Sequence, residues 1–254
     1  MTQTVSITIP QGWEKLSTEN LEYLSKLIIS EASETEIMIR CFLKFAGMKI
    51  IKKDPVVVGS DLCYLFRKKG YKNFLFDIER AAFAAEKMRF LVNPPTLFRL
   101  PERVKNYVPI DWRLFSVSLE EYLLLDQYYN EFLKTRKASD LDVMMAIAYK
   151  PKGEKFDVSI LAKLANRFKK VPLYRKYIVY LWFTAVKAWF INKYWFAFNR
   201  SSGGGESTPD EMVLGILSAL NGGNVTLNKE ILATSVHEVL YEINQLIERT
   251  ENNV

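Results

Sequence analysis

The chain has 254 residues, 49% of them hydrophobic and 25% charged, and its 35 lysines and arginines outnumber 29 acids to give a net charge of +6. These proportions describe a folded protein with ample core, as one large domain or two small ones. They exclude a disordered tail, a collagen-like rod and a disulfide-stapled miniprotein. Cys41 and Cys63 both lie in apolar surroundings and read as reduced core thiols, which fits a cytosolic origin. Met1–Pro10 has no basic region followed by an apolar run, so no signal peptide is expected. The most apolar stretch, Val171–Phe198, carries Arg175, Lys176, Lys187 and Lys193 and is too charged for a membrane span.

In chain order, Val5, Ile7 and Ile9 alternate with polar residues and predict a short strand. Ser17 or Thr18 caps a helix carrying Leu21, Leu24, Leu27 and Ile28. Ser33 and Glu36 form a capping box ahead of a second helix that Gly47 stops. Strands follow at 48–51, 56–58, 62–66 and 74–78, the last two joined by a hairpin turn at Lys68-Lys69-Gly70. Asp77 opens a helix that Pro94-Pro95 ends, and 93–117 reads as a long irregular connection. Ser118 and Glu121 make another capping box before a helix with Tyr122, Leu125, Tyr129, Phe132 and Leu133 on one face. Asp140 and Asp157 open two further helices, separated by a basic loop at 150–153.

Pro172 suits the first turn of a long helix running to about Phe198. Ser201–Gly205 is a flexible linker by composition. A helix follows over 208–220, and after the Asn221–Asn224 turn a third box, Ser235 with Glu238, starts a closing helix. Its stripe holds Val236, Val239, Leu240, Ile243, Leu246 and Ile247. The expected fold is mainly α with a small antiparallel sheet near the N-terminus (α+β). Its parts are a main body over 1–200, a linker at 201–207 and an acidic helical C-terminal unit at 208–254.

Charge is uneven. Residues 150–200 hold 12 basic and 2 acidic side chains, whereas 201–254 hold 2 basic and 8 acidic. The acidic helices either fold back over the basic ones, reach a neighbouring subunit, or simply face solvent. The helix over 172–198 is aromatic around most of its circumference. It is either a central core helix or a docking face, and the candidate protein interface is Trp182, Trp189, Trp195 and Phe196 together with Val239, Ile243 and Leu246. A candidate basic patch for nucleic acid comprises Lys163, Arg167, Lys169, Lys170, Arg175 and Lys176.

The residues needed for catalysis are sparse. His237 is the only histidine, and there is neither C-x-x-C nor H-E-x-x-H. Glu120-Glu121 and Asp140/Asp142 sit at helix starts, where the helix dipole favours acids. Gly203–Gly205 lacks the strand and lysine of a phosphate-binding loop. No catalytic residue, metal ligand or cofactor is expected, and the chain is expected not to be an enzyme. An enzyme built on unsignalled carboxylates stays open as a third reading.

Three segments carry a family resemblance. Ile7–Leu16, reading ITIPQGWEKL, resembles the opening of proteins in tailed-phage and prophage structural modules of gut bacteria. Leu119-Glu120-Glu121-Tyr122 with Tyr128-Tyr129 resembles their middle. Leu217–Thr226, Ile231–Thr234 and Leu240–Asn244 resemble their C-terminal unit, which is also similar to phage tail-assembly chaperones. The resemblance implies a virion or tail-assembly protein. It would work through protein–protein contacts with other phage structural proteins or with copies of itself, in the host cytoplasm during assembly or in the virion. A nucleic-acid-binding accessory protein using 150–176 is the alternative.

Overall fold

The computed structural model describes residues 6–52, 54–59, 61–199, 215, 217, 218 and 220–252. The fold is α+β, helical for the most part, with a small antiparallel sheet near the N-terminus. The chain divides at Phe98/Arg99 into two compact units.

In the first unit, helices α1 (Thr18–Ile29) and α2 (Glu34–Phe45) start where the sequence places them. The Ser17 hydroxyl accepts from the Asn20 amide and the Ser33 hydroxyl from the Glu36 amide. The second half of the expected box at Ser33 is replaced, because Glu36 pairs with Arg40 one turn on (2.7 Å). Their buried stripes, including Leu21, Leu24, Cys41 and Phe42, form a core with Met88, Leu91 and Trp13. The Trp13 indole stacks on Phe98 and donates to the Phe90 carbonyl (2.9 Å).

The sheet contains β1 (Met48–Ile50), β2 (Val56–Val58), β3 (Asp61–Lys68) and β4 (Phe74–Asp77). The long β3 is central. β4 pairs along one edge in the hairpin register Phe66↔Phe74, and β1 and β2 pair with its two halves, all antiparallel. Asp77 caps α3 (Ile78–Ala85) by accepting from the Glu79 amide. The strand expected around Val5–Ile9 is absent over Ser6–Pro10, where the chain is unpaired. Alternation suits a strand but does not supply an edge to pair with.

The second unit is built on α4 (Leu119–Thr135), α5 (Ala138–Ala148), α6 (Leu161–Phe168) and α7 (Leu173–Lys193). Ser118 and Glu121 make the full reciprocal capping box at the start of α4. The expected irregular connection contains β5 (Tyr107–Pro109), which pairs with β6 (Tyr149–Pro151) where a loop is predicted. Both prolines are tolerated because this two-stranded ribbon has only edges. The long aromatic helix ends earlier than predicted. Tyr194 leaves helical geometry (φ −120°, ψ 54°), and a short α8 (Trp195–Asn199) follows.

The described residues of the C-terminal part include α9 (Asn228–Ala233) and α10 (Val236–Asn252). The expected body over 1–200 and separate unit over 208–254 are therefore corrected in two ways. The first boundary falls at Phe98/Arg99, and the described C-terminal residues share one compact unit with 99–199. The reason is the apolar stripe of α10, whose Val236, Val239, Leu240 and Ile243 are buried. The predicted linker and most of the 208–220 helix lie outside the described residues. Among the described residues no helix is long and apolar enough to cross a membrane.

Candidate functional site

Helix α7 lacks a polar face wide enough for solvent. It is covered by α5 and α4, and Val179, Trp182, Phe183, Val186 and Phe190 are buried. The Trp182 indole donates to the Trp112 carbonyl (3.1 Å). The narrow polar lane of this helix is matched internally. The Lys176 ammonium meets Asp142 of α5 (2.5 Å), and Lys187 meets Asp126 of α4 (2.5 Å). Thr184 donates to the Tyr180 carbonyl (2.9 Å). Buried charge is tolerated only in such pairs.

At the end of α7 a hub joins three segments. His237 of α10 is buried, with Phe115 stacked on its ring at 4.3 Å and Trp189 edge-on at 5.6 Å. Its Nε2 lies 2.7 Å from the Arg113 carbonyl, a pure acceptor, so Nε2 carries the proton. Nδ1 is then the acceptor for the Tyr194 hydroxyl (2.5 Å), with the Lys193 ammonium at 3.3 Å. Burial holds the imidazole below its ordinary pKa, and Lys193 adds to this against the opposing Arg113 hydrogen bond. Burial also pushes the Tyr194 phenol up to about 12 and draws the Lys193 ammonium down. Beyond the hub, Asn244 of α10 presents Oδ1 to the amides of Phe196 and Ala197 (3.0 and 3.4 Å) and so caps α8 from another helix.

The structure separates the candidate interface residues. Trp182, Val239 and Ile243 are core, because the stripes that carry them face each other's neighbours within one unit. Trp189 and Phe196 are half-buried. Trp195 is 56% exposed and Leu246 43% exposed, on the two helices that meet at Asn244. The acidic C-terminal helix folds back on its own chain.

Of the candidate basic patch, Lys163, Arg167, Lys169, Lys170 and Arg175 are exposed on α6 and around the start of α7. Lys176 does not belong to it, since it is buried against Asp142. Arg167 donates to the Tyr107 hydroxyl (2.8 Å), which ties one patch cation to β5.

An open cleft of about 720 Å³ lies beside β5, β6 and the start of α4, lined in part by Asp111, Ser116, Glu120, Glu121, Lys150 and Lys155. Glu121 is bonded to the Ser118 amide (3.0 Å) and paired with Lys150, so its strongest charges satisfy each other. Among the described residues no three His, Cys, Asp or Glu side chains gather to hold a metal ion. Cys41 and Cys63 are both buried and unbridged, and burial pushes the Cys41 thiol up to about 12, far from a reactive thiolate.

Sequence reasoning missed the apolar surface of the first unit. Val57 on β2 is 68% exposed and Phe83 on α3 is 79% exposed. Among the described residues β2 pairs only with β3, so it is an edge strand. The signal was present in three consecutive valines behind Asp54-Pro55, a run with no polar alternation to give a solvent face. Comparison with protein-family models, curated proteins and solved structures finds no match for this chain.

Proposed function

We propose that this chain is a non-enzymatic binding protein that works through protein–protein contacts, in the assembly of a phage or prophage virion or tail. The setting follows the likeness of the opening, middle and C-terminal segments to proteins of those modules. The mode of action is carried by one observation: Trp195 and Leu246 are exposed at the α8–α10 junction, beside a seam whose Val236, Val239, Leu240 and Ile243 are buried. Tryptophan in a surface with a rigid backbone beneath it suits a binding hot spot, because little conformational entropy is lost on docking.

The test uses the full chain. Light scattering across concentration reads self-association. A photo-crosslinking side chain in place of Trp195, in cells producing the surrounding structural module, reads contact with other proteins. Trp195→Ser and Leu246→Ser are expected to remove the associated or crosslinked species while leaving the thermal melt unchanged. A chain that stays monomeric and gives no crosslink from position 195 would count decisively against the proposal.

A second reading is a nucleic-acid-binding accessory role. Lys163, Lys169, Lys170 and Arg175 favour it by lying exposed along α6 and the start of α7. Loss of heparin retention on changing these four to glutamate would support it, and unchanged retention would reject it.

A further inference from the structure

We infer that the first unit carries a binding site for the phosphodiester backbone of a single-stranded nucleic acid, at the end of its sheet and apart from the 163–175 patch. The site is a concavity of about 690 Å³ bounded by Gly47, Lys49, Arg67–Lys69, Gly70, Tyr71, Lys72 and Asn73. Its lining contains five cations and no carboxylate. Residues 44–73 hold eight basic and two acidic side chains, a net +6 within 30 residues.

The arrangement works against the fold. Lys49 and Arg67 are direct cross-strand partners between β1 and β3, so two like charges share one face of the sheet. Opposed like charges destabilise a strand pair. Lys49, Arg67, Lys69 and Lys72 are exposed, and among the described residues none of them has a carboxylate within ion-pair distance. Arg67 and Lys68 are held by neutral acceptors instead, the Asn73 side chain (3.4 Å) and the Ala46 carbonyl (2.5 Å). A polyanion supplies the missing negative charge.

Shape selects the kind of polyanion. Gly47 (φ 66°) and Gly70 (φ 86°) turn the chain at the rim, with open space where a Cβ would stand, so backbone and ligand can approach closely. The half-buried Tyr71 ring lies among the cations and offers a stacking surface for a base. A bilayer would need these cations on a convex or flat face rather than around a hollow.

The experiment is fluorescence anisotropy of the full chain with a labelled oligo-dT single strand. Four neutralised phosphates give a slope of log K against log salt of about −2.8, or roughly 50-fold weaker binding at about 200 mM than at about 50 mM salt. The quadruple variant Lys49→Gln, Arg67→Gln, Lys69→Gln, Lys72→Gln is expected to lose this binding and to melt at the same or a higher temperature, since a like-charge pair has gone. If the quadruple variant melts lower, Lys69→Gln and Lys72→Gln decide singly: each lies in the turn outside paired β1 and is expected to reduce the slope by about 0.7. The proposal is overturned by unchanged binding in these variants or by no binding at about 50 mM salt. Loss confined to a variant with Lys163, Lys169, Lys170 and Arg175 changed to glutamine would also overturn it, as would binding to phosphatidylserine vesicles without binding to the oligonucleotide.

Discussion

Lys176 and Asp142 show how a single pair decides what a helix face is for. In the sequence, Lys176 adds to a run of cations, and Asp142 reads as an acid near a helix start. In the fold they meet at 2.5 Å, both buried. Removing one partner leaves an uncompensated charge, so Lys176→Met is expected to cost about 3–5 kcal/mol of stability, while pairing it with Asp142→Leu recovers most of the loss. Denaturant melts of the two single variants and the double variant check this, and an equal loss in all three would contradict it. His237 supplies a pH dependence with a definite sign. Its folded pKa is lowered, so the unfolded chain binds the proton more readily. The stabilisation is therefore complete above the ordinary histidine pKa of about 6.5 and is lost as pH falls through that value toward the folded one. Lys193 opposes protonation of the ring, while the hydrogen bond to the Arg113 carbonyl and the nearby Asp111 favour it. On the alkaline side Tyr194 has a raised pKa, so stability declines from about pH 10 upward. Thermal melts against pH should show both limbs, and His237→Phe should flatten only the acid one.

Among the elements, those with local causes were legible. Ser17, Ser33, Asp77, Ser118 and Asp157 all cap as their spacing predicts, because a cap reaches only two or three residues. The β3–β4 hairpin was legible for the same reason. What escaped is non-local. β5 and β6 pair across some forty residues, and neither run is long enough to announce a strand. The partners of Glu121, Asp126 and Asp142 are lysines from other elements, β6 for the first and α7 for the other two, which no spacing rule connects. The one hint was an acid, Asp142, set directly beside Leu141 and ahead of the apolar run Val143–Ala148. The α8 cap is a further case, since Asn244 reaches the Phe196 and Ala197 amides from α10. Asn244→Ala is expected to cost about 1 kcal/mol and to raise amide exchange at 196 and 197 selectively. Uniform exchange across α7 and α8 would show that the cap does not act locally.

For the molecule as a whole, the strongest sequence-level contrast was between a basic 150–200 and an acidic 201–254, and it suggested attraction between opposite charges. The fold-back that occurs has a different cause. Among the described residues, Glu230, Glu238, Glu242 and Glu248 make no ion pair. The contact is made by Val236, Val239, Leu240 and Ile243, by His237 with Tyr194 and Arg113, and by Asn244. These are apolar burial and short-range hydrogen bonds, neither of which depends on a Debye length. Salt therefore separates the two causes. Raising ionic strength from about 0.1 M to 1 M shortens the screening length from about 10 Å to 3 Å, which would loosen a seam held by charge complementarity. The 99–254 unit, which has its own core, is expected to melt cooperatively and to keep its near-ultraviolet tryptophan signal unchanged over that range in sodium chloride. A marked fall in its melting temperature with salt would return the charge contrast to the role that burial now holds. Truncation at residue 200 should do what salt does not, because it strips His237 from the Arg113 carbonyl and the Tyr194 hydroxyl and leaves the face beneath α10 open to water.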